Sequence, residues 1–156
     1  AIKREALDAA GYADFVATTT RLNRVAADLA RDPAVHAVTD ITGFGLIGHA
    51  HEMAHLSGCA LRFEFARLPW LPGAARYARE LIFPGGSERN ERYYSQWTNL
   101  ERALADWERR LLFDPQTSGG LLIALEADRA EEFLRQVPAW KIGEAVEGLA
   151  GMIAFG

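Results

Sequence analysis

The sequence predicts an α+β layer structure built around one core, and three observations predict it. Short apolar or alternating runs with strand character are interleaved with stripes at helical spacing. At 156 residues, 49% of them hydrophobic and 24% charged, the chain can bury one sizeable core and is short for two domains. No internal repeat, low-complexity tract or linker divides it, so residues 1–156 are expected to form a single domain.

Taken in order, Phe15, Val16, Leu22, Val25, Ala26 and Leu29 recur at helical spacing from Tyr12 to Leu29, which predicts a helix with one buried face stopped by Asp32-Pro33. Val35 to Val38 is a short apolar run bounded by Pro33 and by Asp40 with its following glycines, as a buried strand would be. From Phe44 to Ser57, the residues Leu46, Ile47, Ala50, Met53 and Ala54 form an i, i+3, i+4, i+7 stripe, with Gly58 placed as the C-terminal stop. Leu61, Phe63 and Phe65 alternate with Arg62, Glu64 and Ala66, predicting a strand with one buried face. Pro69 and Pro72 bracket a loop, and Gly73 to Leu81 suits a short helix.

Phe83 to Asn90 is glycine-rich and polar, which predicts an ordered functional loop. A helix is expected from Asn99 to Leu111, then a turn over Asp114 to Gly120 and a fully buried strand from Leu121 to Leu125. The last third predicts a helix over 127–136 and short strands near 139–145 and 148–154. Trp70, Trp97, Trp107 and Trp140 read as core or interface anchors, not as a ligand box.

The formal net charge of −4 offers no general attraction for phosphate backbones, so nucleic acid is not an expected partner. Of 17 basic residues only Lys3 and Lys141 are lysines, which leaves arginine clamps but little scope for a lysine-centred phosphate site. The single cysteine, Cys59, excludes an internal disulfide framework and suits a reducing compartment. No apolar run reaches the ~18 residues of a membrane span, so a cytoplasmic location without membrane partners is expected. The opening Ala1-Ile2-Lys3-Arg4 has neither an initiator methionine nor a signal-peptide core, which suggests a start inside a longer polypeptide.

Three patterns compete between Asp40 and His55. Gly43-Phe44-Gly45-Leu46-Ile47-Gly48 is a G-x-G-x-x-G after a predicted strand, with Glu64 about 20 residues further on, as a nicotinamide dinucleotide site requires. Against it, Thr39 to Thr42 intervene before the glycines and no second βαβ half is evident. His51-Glu52-Met53-Ala54-His55 is an H-E-x-x-H on a predicted helix, where two histidines could hold zinc. The longer metzincin pattern wants a third histidine where Leu61 stands, and both histidines lie opposite the apolar stripe, so a solvated helix face with at most adventitious metal is the plainer account.

The third pattern is Asp40 itself, a carboxylate ending a strand ahead of Thr42 and a helix N-terminus. Mg²⁺ is commonly held by one or two carboxylates plus substrate phosphates, and unpaired N–H groups at a helix start favour anions. A helix cap or an Asx turn would use the same residue structurally.

Thr39-Asp40-Ile41-Thr42-Gly43-Phe44-Gly45-Leu46-Ile47-Gly48-His49 resembles the D-x-T-G-F-G-x-x-G-H segment of selenophosphate synthetases. In the same order, Pro84-Gly85-Gly86-Ser87-Glu88-Arg89-Asn90 resembles that family's P-G-G-T-x-R-N loop, with Ser87 replacing threonine, and Asp114 to Leu122 matches its D-P-Q-T-S-G-G-L-L. The resemblance covers essentially the whole chain as the family's C-terminal half, shared in outline with aminoimidazole ribonucleotide synthetase. It implies a layered α/β/α domain with a mixed sheet, cut from a larger ATP-dependent enzyme that lacks its N-terminal half here.

What the resemblance implies is a selenide, water dikinase: ATP, selenide and water give selenophosphate, orthophosphate and AMP, with Mg²⁺ required and homodimers typical. Asp40 matches the family's metal-binding aspartate in this half. The reactive cysteine or selenocysteine and its lysine belong to the absent N-terminal half, so no catalytic residue is expected in this chain, and Cys59 matches neither. Thr42, Gly43, Gly85, Gly86, Ser87 and Asn90, with Thr117 and Ser118, are candidates for the phosphate and active-site loops, each with a structural turn as the competing account. His49 stays unassigned. Other functions compete: a non-catalytic domain whose job is assembly and closure over a neighbour's nucleotide, a sister enzyme of the hydrogenase-maturation or thiamine-phosphate kinase type, against which the D-P-Q-T-S-G-G segment argues, and more remotely a zinc hydrolase built on His51-Glu52-Met53-Ala54-His55.

Overall fold

The computed structural model describes residues 1–156. Seven α-helices and six strands follow one another as α1 (Ala9–Thr19), α2 (Arg24–Leu29), β1 (Val35–Asp40), α3 (Gly45–Leu56), β2 (Ala60–Phe63), α4 (Ala74–Arg79), α5 (Gly85–Tyr94), β3 (Thr98–Leu100), α6 (Asp106–Leu112), β4 (Leu121–Leu125), α7 (Ala130–Gln136), β5 (Gly143–Val146) and β6 (Ile153–Phe155). The α+β class is borne out, with the strands divided between two sheets. One is a mixed four-stranded sheet in the order β3-β6-β2-β5, where β6 runs parallel to β2 and β3 and β5 is antiparallel. The other is an antiparallel ribbon of β1 and β4, with Val38 opposite Ile123 and Asp40 opposite Leu121.

Helix α3 joins the two sheets, touching β1 on one side and β2 and β6 on another. Its stripe is buried as predicted: Ile47, Ala50 and Ala54 are fully covered and Met53 nearly so. They meet Leu61, Phe63, Ile153 and Phe155 from the mixed sheet in one apolar cluster. Gly58, at φ 67°, ends the helix in the left-handed conformation that glycine adopts without a Cβ penalty.

Six expectations are corrected. The strand opening at Val35 is not buried: its residues alternate between half-buried and exposed, with Val38 41% exposed, because β4 is its only partner in a two-stranded ribbon. The helix over 12–29 is two helices, and neither buries a residue. Thr19 and Thr20 turn their hydroxyls back to the carbonyls of Phe15 and Val16, which favours ending a helix over extending it. Phe83 to Asn90 is not a loop: helix α5 begins at Gly85, and Ser87, Asn90 and Tyr94 fall on its buried side. The helix expected from Asn99 is strand β3 followed by a loop and the shorter α6, because Thr98 to Leu100 pair with β6. The strand at Leu121 is not buried throughout, since a two-stranded ribbon covers only Leu122. Phe65 is buried as predicted but sits in a 3-10 turn after β2, and Glu64 beside it pairs with Arg67.

Candidate functional site

Along β1 the side chains alternate, so His36, Val38 and Asp40 lie on the exposed face while Ala37 and Thr39 are partly covered. Asp40 ends the strand with its carboxylate in solvent. No hydrogen bond or ion pair within the chain engages that carboxylate; the only local side-chain contact is the Thr39 hydroxyl donating to the Asp40 backbone carbonyl at 3.2 Å. Nor does Asp40 cap α3, whose N-cap residue is Phe44, with no side-chain cap bond. Both structural roles open to Asp40 in the sequence, cap and Asx turn, are therefore unused.

The backbone just after Asp40 is clamped from two directions. Ile41 N–H donates to the Gly120 carbonyl, Gly119 N–H donates to Ile41, and Gln116 N–H donates to Thr42, all at 2.9 Å. From α5, the Asn90 amide donates to the carbonyls of Gly43 and Phe113, each at 3.0 Å. Asn90 is a buried polar side chain that satisfies two backbone acceptors at once, which locks three segments to each other. The three motif-bearing stretches of the sequence thus form one connected piece of structure, with Asp40 at its solvent edge.

Two glycines permit that closeness. Gly45 has φ 68°, and a Cβ there would lie 2.6 Å from the Asp114 carbonyl oxygen. A Cβ on Gly86 would lie 2.8 Å from the ring of Pro115, so α5 can start against the 114–116 turn only with glycine in that place.

Asp114 anchors the turn. Ser87 Oγ donates to its Oδ1 at 2.9 Å, and the Gln116 amide donates to its Oδ2 at 3.1 Å. Burial raises the Asp114 carboxyl above its ordinary value, and the two hydrogen bonds pull partly in the opposite direction because they favour the charged form. At the other end, Thr42 Oγ1 and His49 Nε2 share a 3.0 Å hydrogen bond, and His49 is buried on α3 with its ring 5.6 Å from that of Phe44.

Of the predicted site residues, Asp40, Thr42 and Gly43 stand together, with Gly43 exposed and open space where a Cβ would project. Ser87 and Asn90 are buried and spend their polar atoms on Asp114, Gly43 and Phe113. Gly85 is exposed at the start of α5 and Gly86 packs on Pro115. Thr117 is exposed and Ser118 half-buried in the turn before β4. Sequence reasoning passed over Asp114, Gln116 and His49 as parts of this frame. The signal for the first was available, since Ser87, Asn90 and Tyr94 have i, i+3, i+7 spacing and declare a helix whose polar face needs buried partners.

The two competing motifs resolve as packing. β1 and β2 belong to different sheets, so α3 is not the helix of a parallel βαβ unit, and Gly48 is pressed against the Tyr94 ring. His51 is half-buried rather than solvated: its Nδ1 bonds with the Gly151 carbonyl at 2.8 Å and its ring stacks on Trp97 at 4.2 Å. His55 is exposed, and nowhere in the chain do three or more His, Cys, Asp or Glu side chains converge as a metal site. No helix is long and apolar enough to cross a membrane.

The family model described as AIR synthase related protein, C-terminal domain, matches residues 2–153. Selenide, water dikinase of Paraburkholderia xenovorans is 48% identical over 145 residues, which is 93% of this chain and 41% of that protein. Selenide, water dikinase of Rhizobium meliloti is 42% identical over 156 residues, all of this chain and 44% of that protein. The chain therefore spans less than half the length of these curated relatives. Among solved structures, HypE of E. coli, a hydrogenase maturation protein, superposes with a TM-score of 0.59 at 23% identity over 85% of this chain and 34% of that one. A HypE structure in complex with ATP gives 0.59 at 18% identity over 98% of this chain and 41% of that one, a likeness of fold. The matched residues span nearly the whole chain, and the fold agrees with theirs: the chain belongs to the AIR synthase related family as its C-terminal domain, and it is similar to that part of proteins named selenide, water dikinase.

Proposed function

We propose that this chain is the C-terminal domain of a selenide, water dikinase, in which ATP, selenide and water become selenophosphate, orthophosphate and AMP. The observation that carries the reading is the convergence of three sequence motifs on one rigid frame, with the unengaged carboxylate of Asp40 at its edge. The relatives named for that activity support it, and the ATP held by a protein of the same fold is consistent with a nucleotide beside this frame.

The donor set fits Mg²⁺ in a specific way. A single exposed carboxylate with no internal partner is too little for a self-sufficient cation site, and it suits an ion that keeps its waters and is shared with nucleotide phosphates. Asp40 would be this domain's ligand, the others coming from the nucleotide and the preceding half of the protein. Bound there, the cation neutralises charge on the phosphates during phosphoryl transfer. The chain's own contribution is position. The 116–120 turn holds Ile41 and Thr42, Asn90 holds Gly43, and His49 holds the Thr42 side chain, so Asp40 is presented without reorganisation.

In this reading the nucleophile and catalytic lysine lie in the preceding half, the domain alone is inactive, and the working enzyme is a homodimer. The test is phosphorus NMR of the full-length protein with ATP, Mg²⁺ and selenide under anaerobic reducing conditions, beside its Asp40→Asn variant. Selenophosphate and AMP from the wild type and not from the variant are expected. ATP left intact by a folded, Mg²⁺-supplied wild type overturns the reading.

A further inference from the structure

The first thirty residues carry an apolar pattern that this domain does not use. Helices α1 and α2 have no buried residue. On their outer side Tyr12 and Val16 are 54% and 38% exposed, and Leu22 and Val25 are 81% and 60% exposed. Tyr12 and Val16 stand one turn apart on α1, while Leu22 lies in the connection before α2 and Val25 in the first turn of α2. On α3 a stripe of the same kind is covered by the mixed sheet. What ties the start of α1 to the rest is polar: Asp8 pairs with Arg76 of α4 at 2.8 Å, with both side chains about half exposed. Beside that start lies an open cleft of about 270 Å³, lined by Ile2, Leu7, Ala9 and Tyr12 with Glu5 and Asp8. So many large apolar side chains left exposed within one short stretch of a folded domain mark a contact surface.

We infer that the α1–α2 face and its adjoining cleft are the docking surface for the preceding domain of the same polypeptide. The inference rests on reading the chain as the C-terminal part of a longer enzyme. The relatives are more than twice its length, since it spans 41% and 44% of them, and the matching family is described as a C-terminal domain. The remainder then belongs largely to a preceding domain of the same polypeptide. A domain on the same polypeptide is present at high effective concentration, which favours it over any partner from solution. Covering Leu22 and Val25 also supplies the buried side that the periodicity of residues 12–29 calls for and that this domain leaves bare. A second copy of the chain is the rival occupant, and concentration separates the two.

The experiment uses the full-length protein carrying Leu22→Cys or Val25→Cys. Maleimide labelling at that cysteine is followed by peptide mass spectrometry, native against denatured, at two protein concentrations differing roughly a hundredfold across dimer dissociation. These positions are so exposed in the domain itself that native labelling should match denatured labelling unless something covers them. Protection of about tenfold or more that persists on dilution is the expected result. Labelling at the denatured rate overturns the proposal, and so does protection that disappears as dimers dissociate, because a second copy would then be the cover. Selenophosphate formation is scored separately on the wild type. Dilution-resistant protection in a protein that makes no selenophosphate upholds the surface while the activity reading fails. Activity without protection does the reverse.

Discussion

The hydroxyl of Ser87, on the first turn of α5, donates to Oδ1 of Asp114 across 27 residues of sequence at 2.9 Å. That bond and the one from the Gln116 amide to Oδ2 are the side-chain donors the half-buried carboxyl receives. Ser87→Ala removes one of the two, and because the carboxyl is only half-buried the loss should fall at the low end of the roughly 1–3 kcal/mol that an unsatisfied buried acceptor costs. Ser87→Thr keeps the hydroxyl, so it should lose much less. Urea denaturation of the two variants beside the wild type measures the difference.

The same carboxyl has a pH signature. Its folded value is raised above the unfolded 3.8, so between 3.8 and the folded value the folded state binds more protons than the unfolded one. The contribution of Asp114 to stability is therefore present below 3.8 and is lost as pH rises through the folded value. Asp114→Asn keeps an acceptor for Ser87 and cannot ionise. Its stability relative to wild type should climb with pH from about 4 and level off once Asp114 is fully charged. A constant difference between the two proteins across pH 4 to 7 would show that Asp114 does not titrate in this window.

Thr42, two residues after Asp40, shares a side-chain hydrogen bond with His49 on the buried side of α3. Thr42→Val keeps shape but leaves the imidazole nitrogen without its partner, at a cost of about 1–2 kcal/mol. A double-mutant cycle with His49→Ala should show a coupling of about 1 kcal/mol. Additive losses would mean the pair contributes nothing jointly.

Gly45 is the least replaceable glycine of the frame. Alanine there meets both a positive φ and a backbone oxygen 2.6 Å away, and the two penalties together amount to about 2–4 kcal/mol. Gly43→Ala, where a Cβ meets open space, should cost well under half of that. Thermal melts of the pair separate a conformational requirement from a shared motif letter.

Asp40→Asn should separate function from fold. The side chain is exposed and unpartnered, so stability should change by less than about 0.5 kcal/mol. Under the proposed function, loss of this carboxylate from the full-length protein should lower turnover on the order of a hundredfold or more. A large drop in melting temperature would instead show Asp40 to be structural.

Much of this was legible in the sequence because periodicity reports burial directly. The α3 stripe and the alternation of Leu61 and Phe63 each correspond to an element packed against its own neighbours, while the run opening at Val35 gave the strand but not its burial. The same reading failed where the decisive partner was distant or absent. Residues 12–29 read as one buried helix, yet Phe15, Ala26 and Leu29 are only half-buried and Val16, Leu22 and Val25 are exposed, because this domain covers the stretch only in part. Gly85-Gly86 read as loop chemistry, yet Gly86 is small so that α5 can start against Pro115.

By itself the sequence determined the α+β class, the central helix after Asp40, the family through three ordered motifs, and Asp40 as the residue to watch. Local spacing and residue chemistry suffice for these, since each rests on neighbours a few positions apart. Only the tertiary structure decided that Ser87 and Asn90 turn inward, that the 114–120 turn clamps the backbone beyond Asp40, and that His51 packs on Trp97 and Gly151. Those outcomes depend on hydrogen bonds and ring contacts between residues 20 to 100 positions apart, and no local pattern specifies which distant carbonyl or carboxylate will meet a given side chain.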